Sequence, residues 1–245
     1  MKIEGKNPVK ELLNGDHTIE KVMIANGTND AEVRMLQKIA RDKGIKIEFA
    51  DKRALDKLSE TGHHQGIIAI YSDFKYANLE DVINQEKTKN KDLLFIILDE
   101  VLDPHNLGSV IRVAECAGAS AVIIPNRRSA SVNETVVRTS AGATAYMPVV
   151  KVSNLNHAIE ELKKQNIWVY AADMDGSPMS NTNLKGDIAL VVGGEGTGVK
   201  QLTKKLCDGV ISIPMFGKVN SLNASVSAGI VLYEAVRQRL SEWIM

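Results

Sequence analysis

Two cysteines in 245 residues, Cys116 and Cys207, are too few for a disulfide framework or a thiolate zinc cluster. Both lie within apolar patterns, so they are expected to be buried, inert thiols acting as small hydrophobes. Long apolar runs are missing as well. The longest, 93–98 and 189–192, are strand-sized, far short of the roughly 20 residues that cross a bilayer. The opening Met-Lys-Ile-Glu-Gly-Lys has no apolar signal region, which makes a cytoplasmic location the default. Neither sign of charge is in excess, with 30 basic and 30 acidic residues. A basic surplus often marks nucleic-acid binders, so contact with RNA would need a local patch. There is no internal repeat, no low-complexity tract and no cluster with metal-ligand spacing. Adjacent His63 and His64 cannot face the same way on a strand, and no metal is expected.

What is present is an alternation of strands and helices in two blocks. In the first, Asn7 and Pro8 open a short helix, with asparagine as cap and proline at the first helical position, and Gly15 closes it in a left-handed turn. Strands are expected over 21–25, 46–49 and 67–71, and helices over 30–43 and 52–59; Val33, Leu36, Ile39 and Ala40 share one helical face. Residues 73–92 break the rhythm. The stretch 84–92, NQEKTKNKD, is lysine-rich without an apolar residue, so 73–92 reads as a linker carrying at most a short helix over 79–84. The domains are then 1–72 and 93–245.

The second block predicts strands over 93–98, 121–124, 147–150, 168–171, 188–192 and 210–213. Helices are expected over 107–117, 133–140, 155–165, 200–206 and 222–240. Near-continuous apolar strands imply burial on both faces, and the alternation implies an α/β fold with a parallel sheet wrapped by helices. Such sheets bind ligands at the carboxyl ends of their strands.

Three segments after strands carry unusual content: DPHNLGSVIRVAECAG from Asp103, VVGGEGTGV from Val191, and ISIPMFGKVNSLNASVSAGIVLY from Ile211. The glycine-rich one is not a P-loop, because Val199 stands where lysine is required. Nor is it a dinucleotide fingerprint, because Gly194, Gly196 and Gly198 are evenly spaced. It reads equally as a tight turn, though Glu195 is unusual for one and Gly193 and Gly194 would let a ligand approach the backbone. Serine and asparagine before the last helix could be caps.

Together these segments resemble the SpoU/TrmH group of the SPOUT superfamily of RNA methyltransferases. The resemblance rests on Asn106-Leu107-Gly108-Ser109-Val110-Ile111-Arg112, on Gly193 to Gly198, and on Ile213-Pro214-Met215 with Ser221-Leu222-Asn223-Ala224-Ser225-Val226, in that order. Within the group the chain is most similar to bacterial 23S rRNA guanosine-2′-O-methyltransferases, through Asp103-Pro104-His105-Asn106, Arg128-Ser129-Ala130, Gly5-Lys6-Asn7-Pro8-Val9 and His64-Gln65-Gly66.

The resemblance implies a SPOUT catalytic domain with a deep trefoil knot, a homodimer, and a small ribosomal-protein-like first domain that binds RNA. It implies S-adenosylmethionine as cofactor and 2′-O-methylation of a ribose in 23S rRNA. The rival readings are methylation of tRNA and a non-catalytic RNA-binding protein. Catalytic positions would be Asn106, Arg112, Glu195, Ser221 and Asn223. Cofactor positions would be Gly193, Gly194, Glu195, Gly196, Ile213, Met215, Leu222, Asn223 and Ser225. Arg112 is expected as a fixed cation rather than a base, since guanidinium keeps its proton; Asn106 could alternatively cap its helix. Arg127 and Arg128 would meet RNA phosphates, or form a solvated loop pair, and His105 serves the local loop.

Overall fold

The computed structural model describes residues 1–15, 17–219 and 221–240. The chain divides into two units, Met1–Lys75 and Tyr76–Met245. Among the described residues no helix is long and apolar enough to cross a membrane.

The first unit runs β1 (Lys2–Glu4), α1 (Lys6–Asn14), β2 (Thr18–Ala25), α2 (Ala31–Asp42), β3 (Lys46–Ala50), α3 (Lys52–Leu58) and β4 (Ile67–Ser72). The sheet order is β1-β4-β2-β3, with β2 and β3 parallel and β4 antiparallel to both its neighbours. Alternation along β4 divides the core. Ile67 and Ala69 meet Val9, Leu12 and Leu13 of α1 and Val33, Leu36 and Ala40 of α2, whereas Ile68 meets Leu55 of α3. Asp30 caps α2, its Oδ1 accepting the N–H groups of Glu32 and Val33 at 2.9 and 3.3 Å. Asn7 does not cap α1. The cap position is Gly5, and the first orphan N–H, on Lys6, is taken 3.0 Å away by Gln65 Oε1. Gly15 closes the helix in extended rather than left-handed backbone. His64 is buried, with Nδ1 accepting from the Gly66 N–H and Nε2 on Asp56, so it shapes the turn that presents Gln65.

The second unit runs α4 (Leu79–Lys87), β5 (Leu94–Asp99), α5 (Pro104–Cys116), β6 (Ala121–Pro125), α6 (Glu134–Thr139), β7 (Val149–Val152), α7 (Leu155–Lys164), β8 (Trp168–Pro178), β9 (Ile188–Gly193), α8 (Gln201–Leu206), β10 (Gly209–Ser212) and α9 (Ala224–Leu240). All six strands are parallel, in the order β10-β8-β9-β5-β6-β7. Every residue of β5 is buried, as its continuous apolar run requires.

Two further expectations differ from the structure. Residues 73–92 are not a linker throughout. From Tyr76 onward they belong to the second unit, where Leu79, Val82 and Ile83 of α4 enter its core and Ala77 bridges to Val150 beside β7. The i, i+3, i+4 apolar spacing of those three residues forms a packed face that the polar stretch after it obscures. The cysteines are not both buried. Cys116 is exposed at the end of α5; Cys207 is half-buried, and burial pushes its thiol up to about 12.

Gly108 marks where α5 presses on α6. A Cβ there would lie 2.7 Å from Thr139 Cβ and 3.0 Å from the Val136 carbonyl oxygen. Alanine normally favours a helix over glycine by about 1 kcal/mol, while overpacking costs about 1–3 kcal/mol. Gly108→Ala should therefore be net destabilising in urea denaturation. Increased stability would show that α6 yields freely.

Candidate active site

The carboxyl ends of β5, β8 and β9 lie side by side at the middle of the second sheet. The loop after β9 is folded back on itself. Gly198 N–H donates to the Gly194 carbonyl at 3.1 Å, and Gly194 N–H donates to the Asp99 carbonyl at 2.8 Å. A Cβ on Gly193 would stand 2.0 Å from the carbonyl carbon of Gly198, and one on Gly194 would stand 2.3 Å from the Glu100 carbonyl oxygen. The two glycines therefore serve the chain's close approach to itself, as well as lining the space beyond.

That space is a cleft of about 350 Å³, within the range of small-molecule sites. Of the residues expected around a cofactor, Gly193, Gly194, Glu195, Gly196, Ile213, Met215 and Leu222 line it, and so does Ser221, expected as a catalytic position. Asn223 and Ser225 do not line it, although their neighbours Leu222 and Ala224 do. Sequence reasoning missed Ala172, Asp173 and Met174. They lie within β8 where its pairing with β10 jumps from Ala171 to Ser177, Ala172 still pairing with Val192 of β9. The signal was present as a carboxylate just beyond an apolar strand.

Three distant side chains meet beside the cleft. Asn106 Nδ2 donates to Glu195 Oε1 at 2.9 Å. Asn223 Nδ2 donates to Asn106 Oδ1 at 2.9 Å and to Glu195 Oε1 at 2.7 Å. Asn223 Oδ1 faces the other way, accepting from Ser225 N–H, Ser225 Oγ–H and Val226 N–H, and so caps α9. Asn106 is not a cap. Asp103 has that task, taking the His105 N–H at 3.0 Å with Pro104 at the first position of α5. Asn106 is buried in the first turn of that helix, so its amide is held rigidly toward Glu195.

Arg112 does not join this cluster. It lies six residues beyond Asn106 on α5, about 240° around the helix and about 9 Å along it. Its side chain is exposed and makes no hydrogen bond or ion pair among the described residues. Arg127 is also exposed. Arg128, exposed and in left-handed backbone, reaches Glu100 Oε1 at 3.3 Å, and Lys200 Nζ reaches the same oxygen at 2.6 Å. Ser221 lines the cleft but is exposed. His105 Nδ1 is 3.4 Å from Thr139 Oγ1, a local contact. Lys204 pairs with both Asp173 and Asp175 at 3.1 Å. Among the described residues no three His, Cys, Asp or Glu side chains form a metal-binding group.

The cleft's chemistry fits S-adenosylmethionine. Ala172, Val192, Ile213, Met215 and Leu222 offer an apolar surface for a flat heterocycle. Glu195 adds a carboxylate for a ligand that carries positive charge, while Asp173, also in the lining, is already paired with Lys204.

Comparison with known proteins points the same way. The SpoU rRNA Methylase family matches residues 93–233, and the RNA 2′-O ribose methyltransferase substrate binding family matches residues 2–77. The chain is 40% identical over 236 residues to the putative TrmH family tRNA/rRNA methyltransferase YacO of Bacillus subtilis (strain 168), covering 96% of this chain and 94% of that one. It shares its fold with the SpoU methyltransferase AviRb from Streptomyces viridochromogenes in complex with AdoMet, at a TM-score of 0.63 and 24% identity, over 98% of this chain and 91% of that one. A solved RNA 2′-O ribose methyltransferase matches with a TM-score of 0.56 and 26% identity, over 98% and 89%.

The Glu100 bridge has a pH consequence. Lys200, with Arg128 adding less, holds the Glu100 carboxyl below its ordinary value of 4.5 against an opposing effect of burial. A carboxyl depressed by folding stabilises the fold above its unfolded value, and that contribution is lost as pH falls through the folded value. Glu100→Gln should therefore weaken stability near neutrality and make it less sensitive to acid below about pH 4.5. An unchanged acid limb in thermal melts across this range would show that the bridge is inert.

Proposed function

The chain belongs to the SpoU rRNA Methylase family of S-adenosylmethionine-dependent RNA methyltransferases, and we propose that it methylates the 2′-hydroxyl of a guanosine in 23S ribosomal RNA. The observation that carries this reading is the Asn106–Glu195–Asn223 network beside a cleft suited to the cofactor. The matches of 93–233 and 2–77 support a division in which the second unit carries the chemistry and the first binds RNA. A tRNA substrate is the second reading, because the Bacillus relative is named for both RNA classes. Either substrate implies work in the cytoplasm.

When bound, S-adenosylmethionine supplies an electrophilic methyl group on a sulfonium. The residues of this chain must make a ribose hydroxyl nucleophilic and keep it in line. Glu195 is held by two amide N–H bonds on one oxygen, which leaves its other oxygen for the substrate hydroxyl or an arginine. Asn106 and Asn223 fix that carboxylate together, bonded to each other as well as to its Oε1. Arg112 is assigned the developing alkoxide or its neighbouring phosphate, as a cation that stabilises charge without giving up its own proton. Backbone groups at Gly193, Gly194, Ile213, Met215 and Leu222 would hold adenine and ribose. Arg127 and Arg128 are assigned to RNA phosphates. The near-even charge of 1–72, with 12 basic and 11 acidic residues, calls for shape-led RNA contact by the first unit.

The exposure of Arg112 supports a homodimer in which each site draws this residue from the other subunit. On α9, Ala224, Ala228, Val231, Leu232 and Ala235 face the core, while Val226 and Tyr233 stay 48% and 49% exposed and Ile230 half-buried. A helix apolar on both faces calls for a second covering surface. The deep trefoil knot of this group belongs to the same proposal, with 194–198 and Ile213, Met215, Ser221 and Leu222 lining one cleft.

Arg112→Ala should lower methyl transfer roughly a hundredfold or more, with cofactor affinity in calorimetry nearly unchanged. Arg112→Lys should also be poor, because it loses the planar fork. Mixing Arg112→Ala with Glu195→Ala, each inactive alone, should restore part of the activity by rebuilding one complete site per mixed dimer. Normal turnover in Arg112→Ala, or no recovery on mixing, would contradict the assignment.

The division between units is tested by a chain of residues 76–245, which keeps the α4 contacts with the core. It should bind cofactor normally and methylate RNA at least about tenfold less efficiently, as expected when binding energy remote from the reacting atoms is removed. Equal RNA methylation by this chain and the full-length protein would refute the division. Offering 23S rRNA and tRNA separately to the full chain decides between the two substrate readings.

A further inference from the structure

Both ends of the loop 194–200 are tied to one buried residue that lies outside it. Asp99 closes β5, is 3% exposed and pairs with Gly193 across the sheet. Its carbonyl oxygen accepts the Gly194 N–H at 2.8 Å, where the loop leaves β9. Its carboxylate Oδ2 accepts the Lys200 N–H at 3.1 Å, where the loop enters α8, and the Thr203 hydroxyl at 3.0 Å. No side chain of its own caps the start of α8, so Asp99 fills that place from another strand. Thr203 is 2% exposed, and a second acceptor for its hydroxyl, Asn156 Oδ1, is farther away at 3.5 Å. Lys200 Nζ stands 3.9 Å from the other carboxylate oxygen and gives its close contact to Glu100 at 2.6 Å. A carboxylate at the end of an apolar buried strand is costly unless hydrogen-bonded. The methyl-transfer chemistry above makes no use of this one, and Asp99 does not line the cleft.

We propose that Asp99 is a positioning residue for the cofactor: backbone and side chain together clamp the loop 194–200 closed, and Thr203 fixes the clamping carboxylate. This inference rests on the reading that S-adenosylmethionine occupies the cleft. The loop presents the backbone of Gly194 to Gly198 to that space. Freed at its α8 end, it would spend part of its time in conformations that cannot receive the ligand, and apparent affinity falls in proportion to the competent fraction. Turnover at saturating cofactor should not move, because the ligand then holds the loop itself.

Full-length Thr203→Val, Asp99→Asn and Asp99→Ala test this with S-adenosylmethionine calorimetry, amide hydrogen exchange of the cofactor-free protein, and kcat at saturating cofactor. Valine matches the shape of threonine and removes only the hydroxyl. Thr203→Val should raise the cofactor Kd about tenfold, speed exchange across 194–200, and leave kcat within about twofold. Asp99→Asn can offer its carbonyl oxygen to both donors, so its Kd should stay within about threefold of the wild type. Asp99→Ala should bind most weakly. If Asp99→Ala does not fold, Thr203→Val still decides. Wild-type affinity and exchange in Thr203→Val would overturn the inference, and so would an Asp99→Asn as weak as Asp99→Ala. Failure of the wild-type protein to bind the cofactor would instead refute the proposed function itself, and this inference with it.

Discussion

One carboxylate oxygen, Glu195 Oε1, accepts from two asparagines that lie 89 positions before it and 28 after it in the chain. Everything assigned to the site depends on that meeting. Hydrogen bonds to an ionised group are stronger than neutral ones, but a pair of them cannot by itself gather three segments against chain entropy. The parallel sheet does the gathering. Because β5 and β9 are neighbours running the same way, the loop after β9 and the first turn of α5 leave the sheet at the same end. The amides then have only to choose an orientation. Asn223 links that choice to the final helix, because the side chain that donates to Glu195 also caps α9.

The parts of the fold most legible in the sequence were those governed by short-range rules. Apolar runs gave the buried strands of the second sheet, and their alternation with helical periodicity gave its parallel order. Residues 84–92 misled, because polarity there describes a solvated end and not the Leu79, Val82 and Ile83 face that packs before it. The cap of α1 was misassigned for a related reason. The acceptor for Lys6 N–H is Gln65, which is distant in sequence and brought close only by the turn around His64. Cys116 shows the limit of pattern reading on an amphipathic helix, where one step in register moves a side chain from core to solvent.

The site was legible as segments rather than as geometry. Motif order located Asn106, Glu195 and Asn223, but their mutual hydrogen bonds depend on tertiary placement. Asp173 entered the cleft through an irregularity in strand pairing that no periodicity announces. Asp99 looked like the last residue of an apolar strand, although its backbone and carboxylate hold both ends of the glycine-rich loop. Arg112 belongs to the same motif as Asn106 and yet points elsewhere, since helical geometry turns residues six apart away from each other. A motif is contiguous in sequence, but its residues need not serve a single subunit's cleft.

The account stands or falls on where the methyl group goes. RNA incubated with the protein and methyl-tritiated S-adenosylmethionine, then hydrolysed completely in alkali, answers this directly. Alkali cleaves RNA through attack of each free 2′-hydroxyl on its adjacent phosphate, so a 2′-O-methylated nucleotide protects the linkage that follows it. The account predicts tritium in alkali-resistant dinucleotides. Tritium confined to mononucleotides would mean methylation of a base, and it would contradict the central claim.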